Sequence, residues 1–217
     1  AAQLANSGYD TAFVGKAHFS SKITFKATGT PECRKSAPNY PDDWIGPYMG
    51  FDHVELAALG KFHRARLPTD APTIHRFEHA LLSHPNALEL WQNSTTQGSG
   101  AAQTWDSCLP EEWHSSAWVA DRTLAILEKQ KNATQPFFAW VSFPDPHHPF
   151  DCPAPWNAMY KPADMVLPEH RTLDLEKRPW WHRESLEGSP KIADPELAKF
   201  RSEGFKVPPQ TDAQLRE

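Results

Sequence analysis

The segment from residue 110 to residue 143 constrains the fold most strongly, because it reads as a long helix followed closely by a buried strand. The helical part, PEEWHSSAWVADRTLAILEKQK at 110–131, begins with a proline and two glutamates and ends with lysines, which suits the dipole of a helix. The apolar run PFFAWVSF at 136–143 is typical of a parallel strand covered on both faces. Four-three-four-three spacing predicts the buried stripe of the helix to be Trp113, Ala117, Ala120, Leu124 and Leu127.

A second helix-to-strand step opens the chain. Leu4 followed by Gly8 is typical of the last turn of a helix with its terminating glycine, which suggests that sequence upstream is missing. The run YDTAFVG at 9–15 then predicts a short strand closed by glycine. Two such steps indicate a layered α/β domain.

The remaining segments are less regular, with 21 prolines against 10 glycines in the whole chain. We expect a long loop at 19–50, a short strand at 51–56 and a helix around 73–90. Residues 93–103 read as a mobile loop or insertion. Residues 144–217 are proline-rich and polar, and no internal repeat is evident.

Composition excludes several classes of function. A net charge of −5 and a pI near 6.1 give no reason to expect nucleic acid or an anionic membrane as partner. No stretch has the roughly 18 consecutive apolar residues that a membrane span requires. Three widely spaced cysteines indicate neither a disulfide framework nor a zinc site. Compartment and oligomeric state stay open.

Lys16 and His18 follow the first predicted strand at alternate positions. Side chains at alternate positions of an extended segment point to the same side, so the two can converge on one ligand. Ligands of open α/β sheets bind beyond the carboxyl ends of strands, where this pair falls. We therefore interpret the pair as an anion site, against the alternative that both side chains are simply solvated.

The second candidate is FPDPHHPF at 143–150, which leaves the other predicted strand. Its three prolines restrict the loop, so its histidines are presented with limited freedom. A preorganised imidazole can act as a general acid or bind an oxyanion. We assign this function to His147, whereas for Asp145 and His148 we favour structural roles.

These two segments carry a family resemblance. GYDTAFVGKAHF at 8–19 resembles the G-Y-x-T-x-x-x-G-K-x-H segment of sulfatases, and the region 136–160 is similar to their later strand and P-H-x-P-F loop. The helix at 111–128 and the segment 167–183 also resemble the family. The resemblance implies an incomplete alkaline-phosphatase-like α/β domain, a mostly parallel sheet flanked by helices, with residues 1–217 as one partial catalytic domain.

The resemblance also implies roles for three residues in hydrolysis of a small-molecule or carbohydrate sulfate ester. Lys16 matches the lysine that contacts a sulfate oxygen. His18 matches the histidine that hydrogen-bonds the catalytic formylglycine, and His147 the one near the bridging oxygen of the leaving alcohol. Fixed cationic donors would stabilise charge on both groups.

Other family features are absent from the sequence. No cysteine or serine begins the C/S-x-P-x-R motif that becomes formylglycine, and the expected ligands of the family's Ca²⁺ are missing. The acidic pair Asp42-Asp43 follows the GKxH segment in a proline-rich loop, so we interpret it as solvated. We therefore expect an internal fragment of a longer sulfatase, with its nucleophile and calcium ligands outside this chain.

Two alternative functions remain. The same cationic residues would serve a phosphonate monoester hydrolase or phosphodiesterase of the superfamily, and a non-catalytic module could keep an anion pocket without a nucleophile. A histidine-based transition-metal site is disfavoured because no ligand spacing supports it. The organic part of the substrate stays open, since we assign Trp44, Tyr48, Trp91 and the RPWWHR segment at 178–183 first to packing.

Overall fold

A computed structural model describes residues 1–21, 26–61, 70–96, 100–168 and 210–217, together with residues 177, 179 and 195. The strands in these residues are β1 (Asp10–Gly15), β2 (His53–Leu56), β3 (Thr95–Thr96), β4 (Thr104–Ser107), β5 (Phe137–Ser142) and β6 (Phe150–Pro153). The α-helices are α1 (Ala2–Ala5), α2 (Arg76–Ser83), α3 (Ala87–Gln92), α4 (Ser115–Gln130) and α5 (Asp212–Arg216). Short 3-10 helices lie at Ala37–Asn39, Glu111–Trp113, Trp156–Ala158 and Pro162–Asp164.

The main sheet is parallel and has the order β2-β1-β5 in the described residues. β1 pairs with β2 from Ala12 to Gly15, and it pairs with β5 along its whole length. Gly15 lies opposite Leu56 on one side and Ser142 on the other, so all three strands end at the same level. The predicted α/β class with a mostly parallel sheet is confirmed.

The side chains of β1 alternate between two apolar layers. Ala12 and Val14 pack against Val119 and Ile126 of α4, which covers one face of the sheet. Phe13 points to the other face, where its cluster contains Phe51, Val54 and Leu56 and the partly buried Ala17, Phe19, Trp44, Tyr48 and Phe138. Burial on both faces explains the uninterrupted apolar run from Ala12 to Val14 in β1.

A smaller sheet and a helix pair form the second packing unit. β4 lies between β3, which is antiparallel to it, and β6, which is parallel. The adjoining core joins residues of α2, α3, β4 and the segments that follow β2 and β4: Ala57, Phe77, Leu81, Ala87, Trp91, Trp105 and Leu109. Trp91 is therefore a core residue, as expected, and Trp44 and Tyr48 pack against the sheet cluster.

The predicted stripe of α4 is wrong in its second half. Leu124 is 63% exposed and Leu127 is 40% exposed, whereas Val119 and Ile126 are buried. The reason lies at the start of the helix: Glu111–Trp113 is a 3-10 turn, and His114 has extended backbone before α4 begins at Ser115. A stripe counted from the turn therefore has the wrong phase along the helix.

β5 also differs from its prediction. It lies at the edge of the described sheet, and Phe137 and Trp140 are about half exposed, so its two faces are not both covered. The expected strand at 51–56 begins at His53. The single helix expected at 73–90 is two helices, because the chain turns at the His84-Pro85 dipeptide.

Two further predictions concern irregular segments. The expected loop at 93–103 contains the short strand β3, and residues 97–99 are not among the described ones. Apart from Pro179, the RPWWHR segment lies outside the described residues. Within those residues, no helix combines the length and apolar character needed to cross a bilayer.

Candidate functional site

The ends of β1 and β5 approach each other unusually closely at Gly15. The amide of Lys16 donates a hydrogen bond to the carbonyl oxygen of Ser142 at 3.0 Å. A Cβ atom on Gly15 would lie 1.9 Å from that same oxygen, and Gly15 has a φ of +111°. Only glycine fits this position, and the chains that continue to Lys16 and to His147 therefore leave the sheet side by side.

Lys16 carries an ammonium group without a counter-ion in the described part of the chain. The side chain is partly buried, and no hydrogen bond or ion pair to it occurs among the described residues. Burial, and then the positive charge of Lys61, lower the pKa of Lys16. An anion bound here would relieve both effects, because it would compensate the charge that burial and Lys61 disfavour.

His18 and His147 are both exposed. His18 has a φ of +59°, a left-handed conformation that turns the chain immediately after the strand. The Nδ1–H of His147 donates to the carbonyl oxygen of His148, which leaves Nε2 as the ring nitrogen available to a ligand. The imidazole rings of His147 and His148 lie 4.2 Å apart.

The sheet thus places the predicted residues at one edge, but it does not bring them into direct contact. Lys16 and His18 follow β1, and His147 follows the adjacent strand β5. The connection between them runs through Lys61, whose charge acts on Lys16 and whose ammonium contacts Asp145. That the three predicted residues bind one anion together stays a prediction.

A largely buried ion network includes Asp145, which precedes His147 by two residues. The Nζ of Lys61 contacts Oδ1 of Asp145 and lies 2.9 Å from Oδ1 of Asp151. The side chains of Lys61 and Asp151 are only 3% and 4% exposed. Ser116 Oγ donates to the other oxygen of Asp145 at 2.8 Å, and His114 Nε2 lies 3.7 Å from the other oxygen of Asp151.

The ionisation of this network is coupled. Burial alone would lower the pKa of Lys61, but the carboxylates of Asp151 and Asp145 outweigh it and raise that pKa. Burial raises the pKa of Asp151, against the opposing effect of the Lys61 ammonium. Asp145 has the structural role expected of it, because it accepts hydrogen bonds from Lys61 and Ser116.

Lys61 follows a loop, residues 57–60, whose backbone amides are bound by a carboxylate. The carboxylate of Glu78, which is buried on α2, accepts hydrogen bonds from the backbone amides of Ala58, Leu59 and Gly60 at 2.7 to 3.1 Å. Gly60 packs against Pro144, since a Cβ on Gly60 would lie 2.6 Å from Pro144 Cγ. The segment after β2 therefore fits tightly against the segment after β5.

A cavity of about 570 Å³ adjoins the segment after β5. Its lining includes Asp145, Pro146 and Asp151 and the half-exposed aromatic rings of Phe150 and Trp156. Its size falls within the range of pockets that hold small organic molecules.

Sequence reasoning missed Lys61, Ser116 and Asp151. A signal for Lys61 was present, because the apolar run VELAALGK at 54–61 ends in Gly-Lys in the same way as TAFVGK at 11–16. Ser116 and Asp151 have no such signal, since Ser116 meets Asp145 and Asp151 meets Lys61 only when α4 and β6 pack beside these residues.

Among the described residues, acidic, histidine and cysteine side chains form no metal-binding cluster. No group of three or more His, Cys, Asp or Glu side chains among them is arranged to hold a metal ion. Asp42 accepts a hydrogen bond from Thr73 Oγ1 at 2.7 Å at the surface.

Comparison with known proteins decides the family. The family described as Sulfatase matches residues 1–178. The chain belongs to the sulfatase family. This assignment agrees with the parallel sheet and with the placement of the GKxH and P-H-x-P-F segments at adjacent strand ends.

Two relatives of this sulfatase chain are informative. The uncharacterized sulfatase YidJ of Escherichia coli K12 is 25% identical over 179 residues, which are 82% of this chain and 28% of YidJ. The multifunctional alkaline phosphatase superfamily protein PehA of Trinickia caryophylli is 31% identical over 83 residues, 38% of this chain and 16% of PehA. The chain thus spans less than a third of either relative.

Proposed function

We propose that these residues form part of the catalytic domain of a longer sulfatase that hydrolyses a sulfate ester. The observation that carries the proposal is the partly buried ammonium of Lys16, which has no counter-ion among the described residues and lies where β1 and β5 end together. A tetrahedral anion is the ligand that best satisfies such a group, and the family assignment makes it the sulfate of an ester.

The roles proposed for the three residues follow from their chemistry. Lys16 donates to a non-bridging sulfate oxygen and stabilises the charge that develops there. His147 presents Nε2 towards the bridging oxygen, where a protonated imidazole gives its proton to the departing alcohol. His18 orients the nucleophile, and the cavity beside Asp145 supplies room for the organic part of the ester.

The nucleophile and the cation belong to the remainder of such an enzyme. The 217 residues contain no C/S-x-P-x-R motif. The described residues contain no group of three or more His, Cys, Asp or Glu side chains that could hold a metal ion. Formylglycine would supply the attacking oxygen and Ca²⁺ would neutralise sulfate charge in the complete protein. The part played by this chain is to bind the sulfate and to assist the leaving group.

The proposal is tested on the full-length protein with p-nitrophenyl sulfate. Lys16→Met is expected to lower kcat/KM by about 100-fold or more, the usual effect of removing one donor to a developing oxyanion. Lys129→Met, which removes an exposed lysine at the opposite end of the sheet, is the matched control and should leave kcat/KM unchanged. Equal kcat/KM values for Lys16→Met and the unmodified enzyme would refute the assignment.

A second candidate is hydrolysis of a phosphonate monoester or phosphate diester. The observation favouring it is the 31% identity to a relative named as multifunctional. Measuring kcat/KM of one full-length preparation on a sulfate monoester and on a phosphate diester decides between the two reactions. The non-catalytic alternative is tested by the complete coding sequence, since a C/S-x-P-x-R motif upstream of residue 1 would contradict it.

A further inference from the structure

We propose that Lys61 is a positioning residue that fixes the loop carrying His147 by binding both ends of it. The segment 145–151, here called the histidine loop, begins and ends with aspartates, and His147 lies between them. The proposal rests on the proposed function for its catalytic consequence, although the contacts themselves do not depend on it.

The two aspartates meet on one ammonium group. Lys61 Nζ contacts Asp145 Oδ1 and, at 2.9 Å, Asp151 Oδ1, so the first and last residues of the histidine loop are joined through a single atom. The side chains of Lys61 and Asp151 are only 3% and 4% exposed, so water does not compete effectively for the hydrogen bond between them. A loop closed in this way loses much of its conformational freedom before any substrate binds.

The ammonium can act as a fixed point because its own loop is anchored. Three successive amides from Ala58 to Gly60 donate to the Glu78 carboxylate, immediately before Lys61. Gly60 also packs closely on Pro144, the residue immediately before the histidine loop. The anchoring therefore passes from helix α2 to Lys61 and then to the histidine loop.

A second brace holds the same loop from the side of α4. Ser116 Oγ donates to Asp145, and the amide of Ser116 donates to Nδ1 of His114, which caps the helix. This brace reaches only one end of the loop through a hydrogen bond, because His114 lies 3.7 Å from Asp151. Lys61 is thus the described residue that ties the two ends together.

The consequence for catalysis is specific to the leaving group. If His147 protonates the bridging oxygen, its position matters most when the alcohol is a poor leaving group, because a good leaving group departs without a proton. A displacement of about 1 Å can cost about 100-fold in rate. Loss of Lys61 should therefore slow poor substrates more than good ones, whereas loss of stability alone would slow both equally.

The test uses the full-length protein with two substrates, phenyl sulfate and p-nitrophenyl sulfate. We expect Lys61→Met to lower kcat about 100-fold on phenyl sulfate and about 10-fold or less on p-nitrophenyl sulfate. Lys61→Arg, which keeps the charge, should recover part of the loss on phenyl sulfate. The matched control is Arg122→Met, which breaks the ion pair with buried Glu55 away from the histidine loop and should leave the ratio of the two kcat values unchanged.

Equal losses on both substrates, or no loss, would overturn the positioning role. If the unmodified protein hydrolyses neither substrate, the proposed function fails, and hydrogen–deuterium exchange then tests the loop directly. Faster exchange of residues 145–151 in Lys61→Met than in Arg122→Met would support the double anchoring. Equal exchange in the two variants would refute it.

Discussion

The ion pair between Glu55 and Arg122 gives the sharpest prediction about stability. Glu55 lies on β2 with a side chain that is 4% exposed, and its two oxygens accept from Arg122 Nε at 2.6 Å and Nη2 at 3.0 Å. His53 Nε2 lies 2.9 Å from Oε1 of the same carboxylate. The pair joins the sheet to α4, the helix that covers the face of β1 opposite Phe13.

The contribution of this ion pair to the free energy of unfolding follows from the pKa of Glu55. Burial alone would raise this pKa, but the hydrogen bonds from His53 and Arg122 outweigh burial and lower it to about 2, from 4.5 in an unstructured chain. Each unit of difference corresponds to about 1.4 kcal/mol. The ionised Glu55 therefore contributes roughly 2 to 3 kcal/mol, because water around the half-exposed Arg122 screens part of the attraction between the two groups.

The sign of the pH dependence is fixed by the direction of the shift. Because the folded state holds the lower pKa, the contribution is complete above about pH 4.5 and is lost as the pH falls towards 2. We expect Glu55→Gln to lower the free energy of unfolding by roughly 2 to 3 kcal/mol at pH 7, measured by urea denaturation. The difference between the two proteins should shrink towards zero near pH 2.

The matched control is Glu128→Gln, which removes an exposed carboxylate paired with Lys131 on the same helix. Its cost should be less than about 0.5 kcal/mol at any pH, as for other exposed pairs on helices. A difference between Glu55→Gln and the unmodified protein that stays constant from pH 7 to pH 2.5 would refute the assigned role of Glu55.

Three further predictions follow from packing and from the family comparison. Gly15→Ala should lower the free energy of unfolding by about 3 kcal/mol, because the added Cβ would overlap the Ser142 carbonyl oxygen. Gly8→Ala, with open space around Gly8, should lower it by only about 1 kcal/mol. Urea denaturation measures both changes, and equal values would contradict the close approach of β1 and β5 at Gly15. Ile126→Ala should cost 2 to about 4 kcal/mol and Leu124→Ala less than about 1 kcal/mol, and the reverse order would restore the predicted stripe of α4. The isolated 217 residues should neither bind Ca²⁺ tightly in calorimetry nor hydrolyse an aryl sulfate, and measurable turnover would contradict the assignment of the nucleophile to another part of the protein.

Local patterns predicted much of the fold. Three elements could be predicted because a consistent residue pattern extends over several positions in each: the strand at 10–15, the helix within 110–131 and the strand at 137–142. The buried face of α4 could not be predicted, because it depends on the interruption of the helical backbone at His114. The exposed face of β5 was not readable either, because an apolar run does not reveal which neighbours cover it.

The candidate site divides in the same way. The sequence alone identified Lys16, His18 and His147 as candidates, because they lie in the short GKxH and P-H-x-P-F motifs. The partners of the histidine loop come from residues far apart in the chain: Lys61 is 90 positions from Asp151, and Ser116 is 29 positions from Asp145. Such contacts arise from the packing of whole elements, and no local pattern encodes them.

The two Gly-Lys segments show why similar patterns lead to different roles. Lys61 already meets two carboxylates, so a bound sulfate would place a third negative charge beside a single ammonium. Lys16 meets none among the described residues, and its pKa is lowered by burial and by Lys61. A bound anion is therefore stabilised at Lys16 and disfavoured at Lys61. It follows that substitution of Lys16 should weaken binding of the sulfate group most, whereas substitution of Lys61 should mainly change the position of His147 and weaken that binding less.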